Sequence, residues 1–263
     1  MRGVPRVVRE ESYDGAVIME YEDFTLAEKS YMVIGLPDAG LVGGITVSHL
    51  VRELSPREVG GIDLARAVPP VVLIKGGEPR PPIRMFLKDD NILMLASEIP
   101  LPPAAFYPLS YAILDYCAKR RVDMLVSITG LGSPERIKSE RPRPFWAANG
   151  RRAQEIAEKL GVERFEDGVL IGPYAVMLKE ALRYGLDNVV ILVESFPDLP
   201  DPEAASVAVG LLGKMLGISV DVSKLLEEAE LIRLRTKELM KYTSRMLEQM
   251  GKSLEMRPTL LYT

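Results

Sequence analysis

Histidine and cysteine are almost absent, with one of each, His49 and Cys117, in 263 residues. A lone cysteine cannot close an internal disulfide and suits a reducing compartment. The same scarcity leaves no His/Cys metal cluster, no Cys–His nucleophile and, unless His49 is itself the base, no Ser–His–Asp triad. Amides are scarce too: three asparagines (Asn91, Asn149, Asn188) and two glutamines (Gln154, Gln249) stand beside 27% charged residues. That depletion of thermolabile side chains predicts a thermophilic source. No stretch reaches the roughly 18 uninterrupted apolar residues of a membrane span. The first eleven residues lack the apolar core of a signal peptide, so a soluble cytoplasmic protein is expected. A net charge of −4 and a pI near 5.4 supply no basic field for nucleic acid.

What is present is a globular balance, 47% hydrophobic, in which short apolar runs alternate with helical patterns. Strands are predicted at Tyr31–Gly35, Val71–Lys75, Ile83–Leu87, Ile92–Ser97, Met124–Thr129, Val169–Ile171 and Val189–Glu194. Helices are predicted near 41–53, 104–120, 147–160, 174–184 and 204–216. This alternation predicts an α/β domain over 1–220 with a mostly parallel sheet covered on both faces. From Asp221 to Met250 there is no Gly, Pro or strand signal. Leu225, Ala229, Ile232, Thr236, Leu239, Thr243, Met246 and Met250 follow four–three spacing, which predicts one long helix, packed on its own domain or on another subunit. Residues 251–263 have no periodicity and read as a flexible tail.

Four features are candidates for function. GLPDAGLVGG (Gly35–Gly44) joins a strand to a helix, as phosphate loops do. It lacks both the dinucleotide spacing and the Gly-Lys-Ser/Thr of a P-loop, so a tight turn with close helix–sheet packing is expected. The loops after four strands should share one rim, where Asp38, Gly40, Glu98, Thr129 and Asp198 form a candidate site beside Glu194 and Asp201. Asp201 is also well explained as a helix N-cap, with Pro202 at the first helical position. ERIKSERPRP (Glu135–Pro144) is basic enough to grip phosphate but reads better as a solvated loop, and His49 as a packed, hydrogen-bonded histidine. Lastly Leu261, Tyr262 and Thr263 end the sequence as hydrophobic, tyrosine, any residue, a pattern in which the side chains fill apolar space and the carboxylate meets a lysine.

GLPDAGLVG after a strand, TGLG (Thr129–Gly132) and PDLPDPEAA (Pro197–Ala205) together resemble the archaeal members of the proteasome assembly chaperone family, over roughly residues 25–225. The resemblance implies a three-layer α/β/α domain similar to nucleoside phosphorylases, with a C-terminal helical extension. It implies a homo-oligomer that needs no cofactor or metal and engages proteasome α subunits through a hydrophobic-Tyr-X tail, here Leu261–Thr263. Some family members carry a carboligase label of the ATP-grasp type. An α/β enzyme of phosphorylase or ATP-grasp kind, working at the rim, is therefore the rival reading.

Overall fold

The computed structural model describes residues 6–64, 67–68, 71–139 and 141–249. In chain order the first half carries β1 (Arg9–Tyr13), β2 (Ala16–Glu20), β3 (Tyr31–Gly35), α1 (Val42–Leu54), β4 (Arg57–Asp63), β5 (Leu73–Lys75), β6 (Glu78–Arg80), β7 (Ile83–Lys88), β8 (Ile92–Ser97) and α2 (Phe106–Lys119). There follow β9 (Met124–Gly132), β10 (Pro144–Asn149), α3 (Arg151–Glu158), β11 (Glu163–Arg164), α4 (Pro173–Glu180), β12 (Asp187–Ser195), α5 (Pro202–Leu216), α6 (Ser223–Glu227) and α7 (Ala229–Gln249).

Ten strands form one sheet in the order β1-β2-β4-β7-β8-β3-β9-β12-β10-β11, and β5 and β6 form a separate hairpin. The expected mostly parallel sheet is wrong. Five of the nine pairings in the large sheet are antiparallel and four are parallel. Local turns explain two of the five antiparallel pairings, because only antiparallel neighbours can be joined by so short a connection. Asp14-Gly15 joins β1 to β2, and Asp89 and Asp90, at φ 49° and 55°, turn β7 directly into β8. The parallel part is the contiguous centre β8-β3-β9-β12. These four strands are buried on both faces, apart from Asp187 at the start of β12, and are mostly apolar, whereas β2 alternates buried and half-buried positions.

Three local expectations are also corrected. The predicted helix 147–160 begins only at Arg151, because 144–149 pairs antiparallel with β12 and buries Phe145 and Trp146. Val169–Ile171 is not a strand, and Val169 is exposed. The single helix over 221–250 is broken at Glu228 into α6 and α7. The break lets Leu225, 1% exposed, enter the core while Ile232 packs against it from the next helix, in which Ala229 is also buried. The remaining side chains of the expected seam, from Leu239 to Met250, and the tail with Leu261, Tyr262 and Thr263 lie outside the described residues.

Helices cover both faces of the sheet. α1, α3, α5 and α6 bury Val47, Ala157, Ala208 and Leu225 against one face, and α2 and α4 bury Leu109, Ile113 and Met177 against the other. Each such Leu, Ile or Met stabilises the fold by about 1.5–3 kcal/mol relative to exposure. On the α2 side the buried Glu20 carboxylate accepts a hydrogen bond from the Tyr116 hydroxyl (2.6 Å) and pairs with Arg120. Burial, and then Glu20, push the Tyr116 phenol far above its usual pKa.

The turn from β3 into α1 is the tightest junction. A Cβ on Gly35 would strike the Gly43 carbonyl oxygen and the Val47 side chain, both held by the first turns of α1. Gly35→Ala is therefore expected to destabilise the protein by about 1–3 kcal/mol, read as a lower denaturant midpoint at unchanged slope.

Candidate functional site at the carboxyl rim of the sheet

Because β8, β3, β9 and β12 run parallel, the loops after them do converge on one rim. The β3–α1 turn lies at its centre. Gly40 (φ 63°) and Leu41 (φ 52°) are both left-handed, and the Asp38 carboxylate accepts a hydrogen bond from the Gly130 N–H at 3.3 Å. The Gly40 carbonyl in turn accepts from the Asp201 N–H at 2.8 Å. A Cβ on Gly130 would strike the Ala39 carbonyl oxygen and lie 2.6 Å from the Ser195 hydroxyl oxygen, so β9 and the turn meet backbone to backbone with Ser195 packed beside them. Gly43 is pressed against the Ile128 carbonyl, where a Cβ would sit at 2.5 Å. These glycines let helix and sheet approach; the turn is the packed junction expected from its spacing.

Three of the rim carboxylates, Asp201, Glu194 and Glu98, are paired with arginine or lysine. Asp201, fully buried, accepts from Arg136 Nε at 2.8 Å and Nη2 at 3.2 Å. It also caps α5 by accepting the Ala204 N–H at 3.1 Å, as the sequence predicted. Arg136 is itself buried, stacks on the Phe196 ring at 4.6 Å and donates to the Ser139 carbonyl. Burial raises the pKa of Asp201 against the opposing pull of Arg136 and the Ala204 N–H. Glu203, although burial works upward on it too, is held below the usual carboxylate range by a backbone N–H and the Arg233 guanidinium. Glu194 is buried and accepts from Arg143 at 2.6 and 3.0 Å, while Arg143 also reaches Glu135 at 3.2 Å.

Of the residues chosen from sequence, Asp38 and Gly40 lie in the turn, and Asp38 binds the N–H of Gly130, the residue after Thr129. Thr129 is buried, its hydroxyl 3.4 Å from the Gly130 carbonyl. Glu98 stands to one side, paired with Lys75 and with Arg84 (2.5 Å). Asp198 is exposed on the β12–α5 loop. His49 is packed, as expected: its Nε2 lies 2.7 Å from the Asp221 carbonyl and its Nδ1 3.0 Å from Arg52. A groove of about 370 Å³ runs beside the turn, between Pro37, Leu41 and Ile45 on one wall and Leu225 and Ile232 on the other.

The residues that sequence reasoning missed are Arg136, Arg143 and Arg233. The first two fall in the segment read as a solvated loop. Their carboxylate partners lie 65 and 51 positions away, so no local spacing announces the pairs. Among the described residues there is no group of three or more His, Cys, Asp and Glu able to hold a metal ion. The ion pairs of Asp201 with Arg136, of Glu194 with Arg143 and of Glu98 with Arg84 fix the loops that carry these three carboxylates.

The PAC2 family model matches residues 32–240. The chain belongs to the PAC2 family. The solved structure of Pyrococcus furiosus PbaA, an archaeal homolog of proteasome-assembly chaperone, superposes with a TM-score of 0.80 at 30% identity, covering 88% of this chain and 98% of that one. Pyrococcus furiosus PbaB, an archaeal proteasome activator, shares the fold with a TM-score of 0.70 at 21% identity, over 90% and 99% of the two chains. An uncharacterized protein of Methanocaldococcus jannaschii is 27% identical over 87% of this chain and 93% of its own. PAC2 membership agrees with the resemblance carried by GLPDAGLVG, TGLG and PDLPDPEAA. No helix among the described residues is long and apolar enough to cross a membrane.

The locked rim has a direct consequence for stability. Arg136→Met leaves Asp201 buried without its cation and is expected to cost about 3–5 kcal/mol, measured by chemical denaturation. Arg136→Met combined with Asp201→Asn should recover part of that loss, because the uncompensated charge is gone.

Proposed function

We propose that this protein is a non-enzymatic, ATP-independent chaperone or activator that binds proteasome α subunits through its C-terminal tail. The observation that carries the reading is family membership together with 30% identity to PbaA across 88% of the chain. The ion pairs of Asp201, Glu194 and Glu98 support it, since they give the rim loops that carry them a scaffolding role. In this reading residues 1–220 are a rigid core, 221–250 a helical extension and 251–263 a flexible tail. Leu261 and Tyr262 enter an apolar cleft between α subunits, and the Thr263 carboxylate meets a lysine. One such tail binds weakly, because ordering it costs conformational entropy. A homo-oligomer that displays several tails gains affinity through effective concentration when their spacing fits the pockets.

Pull-down of proteasome α subunits tests the reading. Tyr262→Ala, or removal of Leu261–Thr263, should abolish capture while leaving the melting temperature unchanged. An extra residue after Thr263 should weaken it by displacing the charge. Equal capture by the truncated protein would overturn the tail assignment. Capture should also be the same with and without ATP, and neither ATP nor GTP should be turned over above background, because the β3–α1 turn has no lysine and hydroxyl to hold phosphate and magnesium. Hydrolysis lost in Asp38→Ala would restore the enzyme reading.

A further inference from the structure

On the sheet face opposite α5, α2 presents a tyrosine ridge to solvent. Tyr107 and Tyr111, one helical turn apart, are 54% and 37% exposed, with ring centroids 5.9 Å apart. Beside them lies a basin of about 430 Å³, walled by Tyr13, Pro108, Asp115 and Tyr184. Leu182, 57% exposed, extends the apolar surface beyond α4. Exposed tyrosines around a cleft are the composition of an interface core: each ring buries a large area and loses little conformational freedom when it docks.

Charge is divided across the ridge. On the α4 flank Lys179 and Arg183 outnumber Glu180, to which both are paired at 3.0 and 2.8 Å. On the other side Glu11 and Asp14 of the β1–β2 hairpin and Asp115 of α2 itself outnumber Arg9 and Lys119, with Lys119 of α2 bound to Asp115 at 2.7 Å and to Glu11 at 3.1 Å. A surface with a cationic side, an aromatic centre and an anionic side is complementary to itself under a two-fold rotation. An axis along the ridge places the Lys179 flank of one copy on the Asp14–Asp115 flank of the other and brings their tyrosines together.

We propose that the α2–α4 face is the contact between two copies of this chain, with Tyr107 and Tyr111 as its anchors and Lys179 opposite the partner's acidic flank. The inference rests on the multivalent reading above and names the surface that produces it. Sedimentation equilibrium of the full chain at micromolar concentration tests it. The wild-type protein should be a dimer or a larger even assembly. Tyr107→Ser with Tyr111→Ser should halve the mass, with an unchanged melting profile as the control for folding. Lys179→Glu, at an exposed position, should weaken association about tenfold, and adding Asp14→Lys to it should restore most of that loss. An assembly whose mass is the same in the tyrosine variant, or a Lys179→Glu defect that Asp14→Lys deepens, overturns this interface and leaves the multivalent reading standing. A wild-type monomer overturns both, while capture of α subunits by the tail is read independently.

Discussion

Asp201 makes more structural commitments than any other side chain at the rim. Its carboxylate takes the Arg136 fork, the Ala204 N–H and, at 3.3 Å, the Phe196 N–H, while its own N–H holds the Gly40 carbonyl. One residue thus fastens the loop after β9, the loop after β12, the start of α5 and the β3–α1 turn. A buried charge tolerates this position only when its cation and its hydrogen bonds are all supplied together. The loops must therefore form as a unit, and the rim has one arrangement.

The same chain of contacts reaches the C-terminal extension. Glu203, in the first turn of α5, takes both oxygens' hydrogen bonds from Arg233 of α7 at 2.6 and 2.8 Å. His49 of α1 holds the Asp221 carbonyl just before α6, and Leu225 is buried in the core beneath. Three anchors of different chemistry fix where the extension leaves the domain. Such definition matters little for catalysis in the rim but a great deal for a binding segment, whose effective concentration depends on where its root is held.

How much of this was legible depended on the range of the signal. The buried central strands, the α5 N-cap at Asp201 and the packed His49 were readable because each is written in a few adjacent residues. The four loops expected at one rim are there because their strands are the ones that do run parallel. Sheet direction elsewhere departs from the expectation: Lys88-Asp89-Asp90-Asn91 between two apolar runs is hairpin chemistry, while the strand–helix alternation around it points to a parallel sheet. The end of β10 reads as helix because Ala147, Ala148 and the amphipathic run after Gly150 merge into one helical pattern. Arg136 and Arg143 were lost in a charged segment whose acidic partners lie on other strands and loops, at separations that no periodicity can reveal.

The proposed dimer and the proposed tail use different parts of the molecule, and the topology relates them. α2 connects β8 to β9, two parallel strands, so it returns across the sheet antiparallel to them. A two-fold axis along the α2 ridge is therefore close to the strand direction. Rotation about such an axis keeps both carboxyl rims at the same end of the dimer. α6 and α7, which start from the rim groove and pack on the α5 side, then lie on the outer flanks of the pair, away from the interface. Both extensions are rooted at one end, as the proposed binding to a single ring of α subunits requires. Had the aromatic face been on α5 instead, the same rotation would have buried the extensions between the subunits. The position of the tyrosines on α2 is thus what makes dimerisation and tail display compatible.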